Sequence, residues 1–223
     1  MKYTIQLLLL FSITLSCTTK KGSQEHKAVK SELITENKAL NNQKNTTKIQ
    51  FQNFTVFIDS LEAFDENNVL KQVQKDTAII YLEFGESIEG KKISIQQSKF
   101  SEVDIYQRFE NSITVSDEGP HCDLTAWKHY NSAWKLIKNT GNKFIANTYT
   151  DEEKQKFISI TDNELIKGVG RYCEDKWVQF IKENLTEYPS YYVRPSRMFL
   201  KIVPKNQNKK QIKIISFILP MGC

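Results

Sequence analysis

The 223-residue chain holds three histidines, His26, His121 and His129. Imidazole is the side chain that gains and loses a proton near neutral pH. Because His26 lies in a polar N-terminal stretch, histidine-dependent chemistry in a folded part rests on His121 or His129. Around His121 runs the densest polar cluster of the chain, Asp117-Glu118-Gly119-Pro120-His121-Cys122-Asp123. Glu118, His121 and Asp123 are the candidate catalytic residues, with Glu118 of the type for acid or base work. Cys122, at the start of a predicted helix, would have its pKa lowered by the helix dipole. A plainer reading serves the same residues. Asp123 caps the helix, Gly119 and Pro120 make a turn, and Glu118 and His121 are solvated.

Other reactive patterns are weaker. There is no CxxC, HExxH or His-x-His, and His121, His129 and Asp123 form a metal site only if the fold gathers them. The complete P-loop signature GxxxxGK[ST] is absent, since Gly85-Glu-Ser-Ile-Glu-Gly-Lys91 is followed by Lys92, and so are GxGxxG and the Gly-x-Ser-x-Gly elbow, so no cofactor is expected. Trp127, Tyr130 and Trp134 sit at helical spacing; such a stripe can stack a sugar ring but is expected in the core. In Tyr188-Pro-Ser-Tyr-Tyr-Val-Arg-Pro-Ser-Arg197, aromatics and arginines share a Pro-bounded extended segment. Tyr191, Tyr192, Arg194 and Arg197 are therefore candidates for partner binding. The alternative is a strand edge protected by proline.

The N-terminus reads as an address. Lys2 precedes an apolar run from Ile5 to Leu15, too short to span a bilayer and suited to a secretory signal. Thr14-Leu15-Ser16-Cys17 follows it and resembles the lipobox of bacterial lipoproteins. Thr14 departs from the usual aliphatic residue; Leu15, Ser16 and Cys17 fit. The resemblance implies a signal peptide over 1–16 and a diacylated, N-acylated Cys17 as first mature residue. With Thr18 rather than Asp after the cysteine, it further implies the outer membrane, facing the periplasm. The alternative is an ordinary signal with an incidental cysteine.

Charge divides along the same line. The net +5 comes from 31 basic and 26 acidic residues, but 49–223 holds 23 of each. The stretch 17–48 holds seven lysines against three glutamates. A neutral domain lacks the electrostatic footprint of a nucleic-acid binder. The basic, aromatic-poor 17–48 reads as a flexible lipidated tether close to anionic head groups. Residues 49–223 are enough for one domain that buries about 70% of its unfolded surface. In an oxidising compartment one disulfide is expected among Cys122, Cys173 and Cys223. Cys173–Cys223 is favoured and Cys122–Cys173 is next.

The elements that must position these residues follow from periodicity. Alternation predicts a strand over 49–58, slipped near Asn53, a helix within 60–75, and a strand over 77–84. Gly85 and Gly90 suggest a hairpin into 91–97, and 103–116 is a strand or strand pair. A helix is predicted from Asp123 to about Lys138. Capping boxes stand at Thr150–Glu153 and Thr161–Glu164, the second opening a helix from Asp162 to about Leu185. Strands close the chain at 191–193, 198–203 and 211–219, the last two as a β-hairpin. The sum is an α+β domain with a largely antiparallel sheet, a central helical segment and a C-terminal β-hairpin.

The expected role is a membrane-anchored cell-envelope lipoprotein with a non-enzymatic binding or assembly function. It would meet the bilayer through acylated Cys17 and an envelope protein of unknown identity through its domain. The alternatives are a small periplasmic hydrolase or lyase using the 117–123 loop, and an inhibitor or immunity-type lipoprotein. Cys17→Ala is expected to move the protein out of the membrane fraction of lysed cells; persistence there would count against acylation.

Overall fold

The computed structural model describes residues 46–52, 54–61, 71–97, 102–116, 120–140, 143–184, 191–205 and 211–221. All of them belong to the compact unit Gln43–Cys223. The fold is mostly β with some helix. One sheet contains β1 (Thr46–Gln50), β2 (Phe54–Asp59), β5 (Lys92–Gln97), β11 (Lys143–Ile145) and β10 (Asn139–Thr140), in that order. The second runs β3 (Lys71–Val73), β4 (Thr77–Tyr81), β13 (Lys213–Ile218), β12 (Tyr192–Pro204), β6 (Val103–Ser116) and β7 (His121–Asp123). Two short strands, β8 (Tyr130–Asn131) and β9 (Lys135–Leu136), also pair with β6. Pairing is antiparallel except for β4 with β13.

Alternation dictates the main core. Val56 and Ile58 of β2, Ile93 of β5, Ile105 and Phe109 of β6, Leu200 of β12 and Phe217 of β13 are buried in one cluster. The two sheets therefore face each other across it. Each such side chain contributes about 1.5–3 kcal/mol relative to exposure. At fourteen residues, β6 spans about 45 Å and outruns this core. Its far end, Ile113 and Val115, packs on a second cluster built from Leu165 and Val169 of α2 (Asp162–Tyr172) and Trp177 and Ile181 of α3 (Asp175–Asn184).

The structure changes several expectations. The slip near Asn53 is a turn: the Phe51 N–H donates to the Phe54 carbonyl at 2.9 Å, and 46–59 becomes two paired strands. Residues 46–48, expected in the tether, belong to β1. Of the 60–75 helix, 62–70 lie outside the described residues and 71–73 form β3. Strands β4 and β5 make no hairpin but lie in different sheets. Gly85 and Gly90, at φ 81° and 68°, turn the chain twice between them, and wholly buried Ile88 pins the crossing. Residues 103–116 are one strand, and the C-terminal pair β12–β13 is the expected antiparallel hairpin.

No helix forms over 123–138. Because β6 is long, its edge carries backbone groups that need partners. Leu124, Ser132 and Ile137 donate their N–H groups to Ile113, Phe109 and Ile105 carbonyls at 2.8–3.0 Å. Tertiary pairing overrides the helical spacing there, as local propensity is worth only about 1 kcal/mol per residue. Both capping boxes are present, on α1 (Asp151–Lys154) and α2. The helix from Asp162 breaks at Cys173, which is extended (φ −122°, ψ 172°) and bonded to Cys122. The disulfide is thus Cys122–Cys173, not the favoured Cys173–Cys223; Cys223 lies outside the described residues. It ties the helical pair to the edge strand β7. Closing 51 residues of sequence separation corresponds to about 4 kcal/mol in a chain-entropy account.

Two glycines of α2 test this packing in opposite directions. An added Cβ at Gly168 would sit 2.7 Å from Cε2 of Trp127, whereas at Gly170 it would meet Val178 at an ordinary 3.5 Å. Gly168→Ala is expected to cost about 1–3 kcal/mol by overpacking, and Gly170→Ala to gain up to about 1 kcal/mol from helix propensity. Urea denaturation of the two variants measures both; equal effects would contradict the close Trp127 contact.

Candidate functional site

Of the 117–123 loop, 117–119 and therefore Glu118 lie outside the described residues. The remainder is strand rather than helix start. In β7, His121, Cys122 and Asp123 pair with Ser116, Val115 and Thr114. Asp123 accordingly caps no helix: its Oδ1 accepts from the Thr114 hydroxyl at 2.8 Å, and its Oδ2 lies 3.4 Å from His121 Nε2. Cys122 stands at no helix N-terminus, and its sulfur is committed to the disulfide. What the sequence offered as a titrating histidine, a carboxylate and a thiolate at 121–123 is, in β7, a cross-strand link and a staple.

A different polar cluster forms where β12 crosses β6. The register shifts between Pro195, opposite Asn111, and Arg197, opposite Glu110, leaving Ser196 as a bulge. Proline has no N–H to give the ladder, so a strand carries it where pairing is interrupted. The bulge buries Ser196, whose Oγ is 2.7 Å from Ser112 Oγ and donates to the Glu110 carbonyl at 3.3 Å. His129 Nδ1 approaches Ser112 Oγ at 3.2 Å and Glu110 Oε1 at 3.8 Å; Arg197 Nε is 3.6 Å from that same Oε1. Serine, histidine and glutamate are triad residue types, but the geometry differs. A triad histidine uses its two ring nitrogens for the two partners, whereas here both crowd Nδ1, and Ser112 is wholly buried. The cluster satisfies the two buried hydroxyls of the bulge, Ser112 and Ser196, while Glu110 Oε1 has only the longer contacts to His129 and Arg197 and no hydrogen bond. Ser112 and Ser196 were not singled out from the sequence; they lie 84 residues apart and only the strand register joins them.

The bulge also shapes a cavity of about 300 Å³. Pro195, Met198, Leu219 and Met221 give it an apolar lining, and its charged lining is balanced, Arg194 and Lys154 against Glu86 and Glu89. The turn after β4 supplies Phe84, which is 60% exposed. Ser87 donates to Met198 Sδ at 3.5 Å, joining that turn to β12. Lys154 is held by Glu89 at 2.7 Å, whose other oxygen accepts from the Tyr149 N–H at 2.7 Å. Burial pushes the Tyr149 phenol well up, with Glu89 and Glu153 adding to the shift. Arg194 donates to the Met221 carbonyl at 3.1 Å and lies over the Tyr192 ring at 5.5 Å. Among the described residues it makes no ion pair.

The four partner candidates separate accordingly. Tyr191 packs on the helical core, Tyr192 is exposed, Arg194 reaches the cavity, and Arg197 stands beside Glu110. Trp127, Tyr130 and Trp134 share no face: Trp127 joins the helical core, Tyr130 the main core, and Trp134 meets Arg108 and Lys201. No three His, Cys, Asp or Glu side chains among the described residues gather as a metal site, and no described helix is long and apolar enough to cross a membrane. No family model, curated protein or solved structure matches the chain.

The segment carrying His129 is pinned by Lys128, which bonds to Glu164 in the capping box of α2. The Lys128 hydrogen bond, helped by the Thr161 N–H, lowers the Glu164 pKa from 4.5 to about 2. A carboxylate with a depressed folded-state pKa stabilises the protein above its ordinary pKa, and this is lost as pH falls through the folded value. Stability is expected to decline between pH 4.5 and about 2, with part of that slope missing in Glu164→Gln. Melting temperature against pH reads it, and parallel curves for the two proteins would contradict the link.

Proposed function

We propose that this chain is a cell-envelope lipoprotein, acylated at Cys17 and displayed on a tether that ends before β1, whose domain has a non-enzymatic binding role. The observation that supports binding is the cavity beside the β12 bulge. An apolar lining with a few placed polar groups is the usual make-up of a recognition site. Arg194 reaches it from one of the sequence segments that suggested partner binding, with guanidinium donors to spare. The fitting partner is an envelope protein that inserts an apolar side chain over Met198 and Met221 and presents a carboxylate to Arg194. Arginine is among the side chains enriched at interface hot spots. The loop proposed for catalysis supplies less, since Asp123 and Cys122 are already engaged.

A photo-crosslinking residue in place of Phe84 should give one discrete adduct in intact envelopes. Arg194→Glu should reduce its yield about tenfold, the equivalent of about 1.4 kcal/mol, without altering the melting temperature. Ile158, 40% exposed, is the control position. Equal adducts from 84 and 158, or an adduct indifferent to Arg194→Glu, would refute the site.

A further inference from the structure

The face of the eight-stranded sheet that turns away from the main core carries its own pattern. On β12, Leu200 and Ile202 point into the core while Phe199 and Lys201 alternate outward. Register places Phe199 opposite Arg108 and Lys201 opposite Tyr106 on β6. Leu136 of β9 stands beside Tyr106 and is 54% exposed. Trp134, at the end of the segment leading into β9, lies across the two rows. Lys201 Nζ is 4.8 Å from the Tyr106 ring and 4.6 Å from the Trp134 ring; the Arg108 guanidinium is 4.7 Å from Trp134 and 4.8 Å from Phe199. Rings and cations thus alternate in the order Tyr106, Lys201, Trp134, Arg108, Phe199.

Two features of this ladder ask for a negative counterpart. Both cations share one indole, which keeps them within about 9 Å of each other. Neither has an ion pair or a side-chain hydrogen bond among the described residues. The neighbouring Arg197, by contrast, stands beside Glu110. A second copy laid on this face would set cations against cations. The surface is a sheet face rather than a cleft, which suits an extended anionic surface. Tryptophan, tyrosine, arginine and lysine with an exposed leucine are the side chains of a membrane–water interface, and each cation near anionic lipid strengthens attachment.

We propose that this face docks on the anionic phospholipid head groups of the bilayer that holds Cys17, so that the domain lies down rather than hanging free. This rests on the anchored-lipoprotein reading. The anchor makes docking effectively intramolecular, so a weak surface contact is enough. The Arg108 and Lys201 N–H groups would take phosphate oxygens from the edges of the ladder while the rings stay in place.

The test uses the mature chain from residue 17 with Cys17→Ala, which has neither the apolar signal run nor an acyl anchor, in flotation with phosphatidylglycerol vesicles and with phosphatidylcholine vesicles. Binding is expected to phosphatidylglycerol only and to weaken as salt is raised. Arg108→Gln with Lys201→Gln should weaken it about twentyfold or more, whereas Arg108→Lys with Lys201→Arg should retain it. The retained variant separates loss of charge from loss of fold. Quenching of tryptophan fluorescence by brominated phosphatidylglycerol should fall in Trp134→Phe. No binding to phosphatidylglycerol, equal binding to both lipids, or equal binding by the glutamine variant would overturn the proposal, as would salt-sensitive capture of an acidic protein by this face in place of lipid. Acylation is read separately, as the mass of the N-terminal peptide from the unmodified protein. An unacylated Cys17 therefore defeats the anchor, and failed flotation defeats the docking.

Discussion

The pairing of β6 with β12 is the interaction on which the other parts depend. It runs from Val103 opposite Pro204 to Thr114 opposite Tyr192. One half of β6 closes the sandwich core, and the other half seats the two helices. A strand of fourteen residues cannot be satisfied by one neighbour alone, because each residue carries a donor and an acceptor. The free edge recruits β7, β8, β9 and the loops between them, which is why the middle of the chain is irregular strand.

The two strands do not match perfectly, and the mismatch is where polar chemistry collects. Pro195 cannot donate, so the ladder slips by one residue and Ser196 is left over inside the protein. Ser112, His129, Glu110 and Arg197 surround the slip. The same distortion lies beside the cavity lined by Arg194 and Met198. Downstream of the bulge, regular alternation resumes and sends Phe199 and Lys201 to the outer face. One backbone irregularity thus separates a cavity on one side of β12 from a cation–aromatic surface on the other.

Local patterns were legible. The capping boxes at Thr150 and Thr161 are short-range hydrogen-bond devices, complete within four residues, and the structure has both. The C-terminal hairpin also followed from the alternation of its strands. The stripe of Trp127, Tyr130 and Trp134 misled, because spacing of three and four describes a helix only when the backbone bonds to itself. Here it bonds to β6. The disulfide misled for a related reason. Which cysteine meets Cys173 depends on β7 lying against the far end of β6, not on any distance along the chain.

The sequence by itself determined the features that local chemistry or composition decides: the lipobox-like Cys17, the basic 17–48, the neutral domain, the alternation of its strands and the capping boxes that open α1 and α2. Each is read from neighbouring residues or from a sum over them. Tertiary structure alone decided the edge partners of β6, the Cys122–Cys173 bond, the bulge at Ser196, the cavity at Arg194 and the ladder around Trp134. These depend on register between segments tens of residues apart. Register is set by the summed burial and hydrogen bonding of whole strands, a quantity that no short window of sequence contains.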